Sequence, residues 1–186
     1  MNSLVSFVYR GKLIESTHQA ICVVKDIFNK IIFSTNNEND LIYPRSAIKI
    51  FQALPFVMSD APKKLNLNNK NIAIACSSHK GEPLHIKVLE NWLKKISIKP
   101  NQLMCGVHNP INEKSSNDLF LSGKTPTQLH NNCAGKHLAM ISGCIANELN
   151  INKYNDFKHP YQKIIRTTLE TFMETKIKKN CIGIDG

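Results

Sequence analysis

The sequence predicts an α+β fold, an antiparallel sheet near the start followed by packed helices. Three observations lead there. Short β-rich runs separated by turn residues fill the first 35 positions. Apolar residues then recur at helical spacing in three later stretches. Polar stretches at 36–40 and 63–71 connect these elements.

Taken in order, Ser3 to Tyr9 has strand character, and Arg10-Gly11-Lys12 turns or bulges it. Gln19 to Lys25 reads as a second strand and Ile31 to Ser34 as a third, together an antiparallel meander. Asn36 to Asp40 is a polar loop. Tyr43 precedes a proline and is biased to extended geometry, so a helix begins near Arg45 or Ser46. It runs toward Met58 and is interrupted near Pro55. Lys63 to Asn71 is a polar connection. Ile72 to Ser77 is too short an apolar run for periodicity to separate strand from helix. Glu82 to Ile96 carries a stripe of Leu84, Val88, Leu89, Trp92 and Leu93 and reads as a helix. Met104 to Asn117 reads as loop. Cys133 to Leu149 and Pro160 to Ile177 are two more helices, the latter with proline in its first turn, where it is tolerated. Asn180 to Ile184 opens a further strand.

Composition narrows the function classes. The 186 residues suffice for one domain with a sizeable core, and 42% hydrophobic content is ordinary for a globular protein. No apolar run reaches the roughly 20 residues of a membrane helix, and the start lacks a signal-peptide pattern. A cytoplasmic location is the resulting expectation, with no membrane partner. The six cysteines, at 22, 76, 105, 133, 144 and 181, are spread without C-x-x-C and read as reduced thiols. Net charge is +10, yet the lysines are scattered and no aromatic stacking motif interleaves with them, so no specific nucleic-acid partner is expected.

Dense polar stretches carry the chemistry. The first, RSAIKIFQALP, holds Ser46 and Lys49 at S-x-x-K spacing. Residues three apart on a helix share a face, so the amine can reach the hydroxyl, as a Ser–Lys nucleophile needs. The same tetrapeptide also suits a helix-capping serine and a solvated lysine. Further along come ACSSHKGEP (75–83), CGVHNP (105–110), NNCAGKH (131–137), HPYQ (159–162) and CIGIDG (181–186). Any one of these glycines or histidines is compatible with a plain turn or a core position. KTP at 124–126 and SND at 116–118 are the wrong tripeptides for β-lactamase elements and are set aside.

In this order the stretches resemble the bacterial asparaginase II family, the thermolabile rhizobial-type L-asparaginases. That pattern runs RSxxKPxQALP, ACASHSGEPxH, CGxHxP, NNCSGKHxGML, HPxQ and a DGCG segment, so the likeness covers nearly the whole chain. Ile50, Ser77, Lys80 and Ala134 depart from it, and none of these removes a candidate nucleophile. The resemblance implies a single domain over 1–186 like the N-terminal part of the serine β-lactamase and glutaminase fold. Members continue past the D-G pair, through a cysteine and on to a distant second lysine, so this chain is expected to be a truncated portion.

The implied reaction is hydrolysis of asparagine to aspartate and ammonia. Ser46 would attack the amide carbon and Lys49 would take its proton. A free lysine titrates near about 10.4, so a base working at neutral pH must be held neutral by burial or nearby positive charge. Arg45 and Lys136 are candidate sources of that charge. Ser78 would relay protons or touch substrate, with the distant lysine as its partner in the family. Arg45, His79 and Glu82 are the remaining substrate-side candidates. Cys133 and Lys136 resemble two of three zinc ligands, the third being the cysteine after the D-G pair; His137 is a weak substitute. A homodimer is compatible with this reading. The alternatives are an inactive remnant of such an enzyme and a basic nucleic-acid-binding module.

Overall fold

The computed structural model describes residues 4–35 and 39–183. The chain forms two compact units, residues 1–43 and 44–186.

The first unit holds two separate antiparallel hairpins. Strands β1 (Leu4–Arg10) and β2 (Leu13–Ala20) pair with a register shift between Val8 and Tyr9. Gly11 makes the turn at φ +63°, a conformation that costs glycine little. Strands β3 (Val23–Lys25) and β4 (Ile31–Ser34) form the second hairpin. The expected meander is therefore corrected. The segment 19–25 is not one strand but the end of β2, a break and β3. The polar run LIESTHQA, which gave no apolar alternation, is paired instead. Thr35, which accepts from the Cys22 N–H, is the one buried residue described before Pro44.

The second unit is helical. A 3₁₀ turn at Arg45–Ile48 leads into α1 (Lys49–Met58). Pro55 lies inside α1 without ending it. The missing N–H forfeits one bond, but the buried Ala53, Pro55 and Phe56 offset it by packing. Two helices break the expected polar connection, α2 (Ala61–Lys64) and α3 (Asn69–Cys76). Asn68 caps α3 by accepting from the Lys70 N–H, and this cap resolves the ambiguous apolar run 72–77 as helix. Then come α4 (Pro83–Lys95), α5 (Glu113–Leu121), α6 (Ala134–Ala146) and α7 (Pro160–Met173). The start of α5 corrects the expected loop over 104–117; Asn112 caps it. A 3₁₀ turn at Lys179–Cys181 stands where a strand was expected. Ile184 of that stretch lies outside the described residues.

The core is built around α6, which packs on α1, α3 and α4. Ten of its thirteen residues are buried, so it is apolar nearly all round, as a central helix must be. Trp92 of α4 is fully buried against Phe56, with ring centroids 5.5 Å apart, and its Nε1–H donates to Ser142 Oγ of α6. Gly135 lets α6 approach the end of α3: a Cβ there would lie 2.2 Å from the Ile74 carbonyl oxygen. Gly143 plays the same part toward Tyr161 of α7. Among the described residues no helix is long and apolar enough to cross a membrane.

Candidate active site

Ser46 lies in the 3₁₀ turn and Lys49 opens α1. Residues i and i+3 eclipse in a 3₁₀ turn, so the two side chains leave the same side of the backbone. Arg45 before them sits at φ +50°, which for a non-glycine residue costs roughly 1–2 kcal/mol. Its side chain is exposed.

Ser46 is exposed and Lys49 is only 3% exposed. Lys49 Nζ lies 2.6 Å from Ser78 Oγ, and Ser78 Oγ lies 2.9 Å from Ser46 Oγ. The amine also donates to the carbonyls of Ser77 at 3.0 Å and Asn132 at 3.3 Å. So Ser46, Ser78 and Lys49, far apart in sequence, form one hydrogen-bonded chain running from the surface inward.

Three loops meet around this chain. The turn after α3 bends at Gly81, φ +75°, where a Cβ would come 3.0 Å from Pro110. Lys80 O accepts from the Asn112 N–H, tying that turn to the 105–112 loop. The Asn132 N–H donates to His108 Nε2, and Asn131 Nδ2 donates to the Gly106 carbonyl. Four of the polar stretches, those holding Ser46, Ser78, His108 and Asn132, therefore converge. HPYQ does not join them: His159 caps α7 and Tyr161 fills the core.

His79 is 3% exposed, and its Nδ1 accepts from the Gly81 N–H. Burial, together with His85, Lys49 and His108, pushes its pKa down to about 4, while the Asn131 backbone works the other way. It is therefore neutral at pH 7 with the proton on Nε2, and it stands inside the turn rather than open to a ligand. Glu82 is half-buried at the entry to α4, where its backbone N–H donates to His85 Nδ1. Both residues shape the loop that carries Ser78.

Cys133 and Lys136 occupy the start of α6 and are half-buried. Cys105 senses both of them. Burial and Cys133 raise its thiol pKa to about 11, against Lys136 and its own backbone. His137 Nδ1 lies 2.7 Å from Tyr154 Oη. Among the described residues no three His, Cys, Asp or Glu gather as a metal site.

The sequence reading missed the Ser77 and Asn132 carbonyls, which carry no side-chain signal, and the packing duty of Gly135. His108 and Asn131 were visible only as members of CGVHNP and NNCAGKH.

A buried amine thus bonds to a serine that reaches a second, exposed serine, groups of the types used in nucleophilic catalysis. Residues 7–186 match the family model described as L-asparaginase II, and the chain belongs to that family. No curated protein matches the sequence significantly.

Proposed function

We propose that this protein hydrolyses the side-chain amide of asparagine through an acyl-enzyme on Ser46. The observation that carries the reading is the contact chain from exposed Ser46 through Ser78 to buried Lys49.

The contacts favour a particular proton path. The carbonyls of Ser77 and Asn132 are among the groups that orient the amine, and in the neutral form its lone pair meets the Ser78 hydroxyl, whose oxygen meets the Ser46 hydroxyl. In the first step Ser46 Oγ attacks the amide carbon. Its proton passes to Ser78 as the Ser78 proton passes to Lys49, giving the ammonium and a tetrahedral oxyanion. Collapse breaks the C–N bond, and the proton returns through Ser78 to the departing nitrogen, which leaves as ammonia. Water then attacks the β-aspartyl ester by the same relay in reverse, releasing aspartate and free Ser46. This assigns Lys49 to Ser78 as well as to Ser46.

The test is ammonia release from asparagine by purified protein, with Ser46→Ala as the control. Turnover that Ser46→Ala abolishes supports the reading; equal turnover by both proteins overturns it.

A further inference from the structure

As a base, Lys49 must hold its lone pair toward Ser78, and two carbonyl acceptors among its partners orient it. One acceptor, the Ser77 carbonyl, is adjacent to Ser78 and comes with the same turn. The other, the Asn132 carbonyl, belongs to a loop that must be held independently.

Two side chains hold it. His108 Nδ1 lies 2.6 Å from the Asn109 carbonyl, which assigns the ring proton there. Nε2 is then an acceptor, and it takes the Asn132 N–H at 3.1 Å. The peptide that contains the Asn132 carbonyl is fixed from its other end. Its N–H, that of Cys133, donates to Asn131 Oδ1 at 2.8 Å, while Asn131 Nδ2 donates to the Gly106 carbonyl at 2.8 Å. Residues 106 and 108 thus grip both sides of the residue whose carbonyl meets Lys49. A peptide whose N–H is already bonded is also the better acceptor at its oxygen.

We propose that His108, seconded by Asn131, is a positioning residue for Lys49. It holds the Asn132 carbonyl where that oxygen takes one amine proton and so steers the amine toward the Ser78 hydroxyl. The inference rests on the Ser46–Ser78–Lys49 reading. The bonds of His108 run to backbone, the Asn109 carbonyl and the Asn132 N–H, so its effect reaches Lys49 through the Asn132 backbone.

The test has a readout separate from turnover. Protein labelled with ¹³C at lysine Cε gives a Lys49 resonance, assigned by its loss in Lys49→Met. In His108→Phe this resonance is expected to move and kcat for asparagine to fall on the order of 10–100-fold, with KM nearly unchanged. In His108→Gln, whose Oε1 can stand in for Nε2 toward the Asn132 N–H, both return to the parental values. A His108→Phe protein with parental resonance and parental kcat overturns the proposal. So does a His108→Gln protein that behaves like His108→Phe. Should His108→Phe not fold, His108→Gln decides alone, a parental Lys49 resonance supporting the proposal and a displaced one overturning it. If the parent protein releases no ammonia from asparagine, the substrate reading fails, and the resonance still decides the role of His108.

Discussion

The chain holds two reactive pairs at the same spacing, Ser46-x-x-Lys49 and Cys133-x-x-Lys136, and the fold treats them differently. Lys49 is buried and anchored by two carbonyls and a serine. Lys136 is half-buried at the start of α6, and burial raises the pKa of the Cys105 thiol that senses its pair. Between Cys133 and Lys136 lies Gly135, whose missing Cβ lets α6 meet α3. At the first pair other loops bring acceptors to the amine. The second segment brings the backbone: it carries Asn132 to Lys49 and lets α6 close on the helix that leads to Ser78.

The sharpest break of this comparison is at the two nucleophiles. Ser46→Ala is expected to lower kcat/KM for asparagine on the order of 10⁴-fold or more. Cys133→Ser should cost at most about tenfold, since its thiol is assigned no part in proton transfer. Steady-state ammonia release measures both; a reversal of the order would make Cys133 the reacting residue.

The two lysines come next. Loss of a general base costs roughly 10²–10⁴-fold, and Lys49→Met is expected in that range. Lys49→Arg should be equally damaged, because guanidinium keeps its proton. Lys136→Met should keep activity within about tenfold of the parent. An active Lys49→Arg protein would mean that charge, not basicity, is what the buried amine supplies.

His79 sharpens the comparison through pH. Its pKa is lowered to about 4 by burial and by the neighbouring His85, Lys49 and His108, below the ordinary histidine value. The unfolded chain therefore binds a proton that the folded chain refuses between about pH 6.5 and 4. Stability is full above that window and is lost as pH falls through it, by on the order of 3 kcal/mol. In His79→Asn, which keeps an acceptor for the Gly81 N–H, urea midpoints should fall less steeply across the same window. An unchanged slope would show that another group titrates there.

Gly135→Ala gives the smallest effect. Its Cβ would press on the Ile74 backbone, which cannot swing aside, and overpacking of this kind costs about 1–3 kcal/mol. Thermal unfolding should drop by several degrees, with ammonia release reduced because α3 ends at the Ser78 turn. Unchanged stability would show that α3 and α6 can separate freely.

The sequence was legible where side chains carry the signal. The stripes of α4, α6 and α7 follow from apolar spacing, and Ser46, Lys49 and Ser78 come together as their motif order implies. It was opaque where backbone or geometry decides. Strand β2, LIESTHQA, has too few apolar residues to show alternation, and α5, EKSSNDLFL, has too few to show a stripe. Helix α3 is fixed by the cap at Asn68, not by its apolar run. The carbonyls of Ser77 and Asn132 leave no residue-type trace at all, yet they orient the amine. His79 is a buried member of the turn that carries Ser78, where its ring accepts from the Gly81 N–H.

The most direct test of the Ser46–Lys49 assignment is covalent. The protein is treated with an asparagine analogue bearing an electrophilic carbon at the amide position, digested, and mapped by mass spectrometry. One adduct is expected, on Ser46, and it should be lost in Lys49→Met while persisting in Lys136→Met. An adduct on Cys133 or Ser78, or equal labelling of Ser46 after Lys49→Met, would contradict the account.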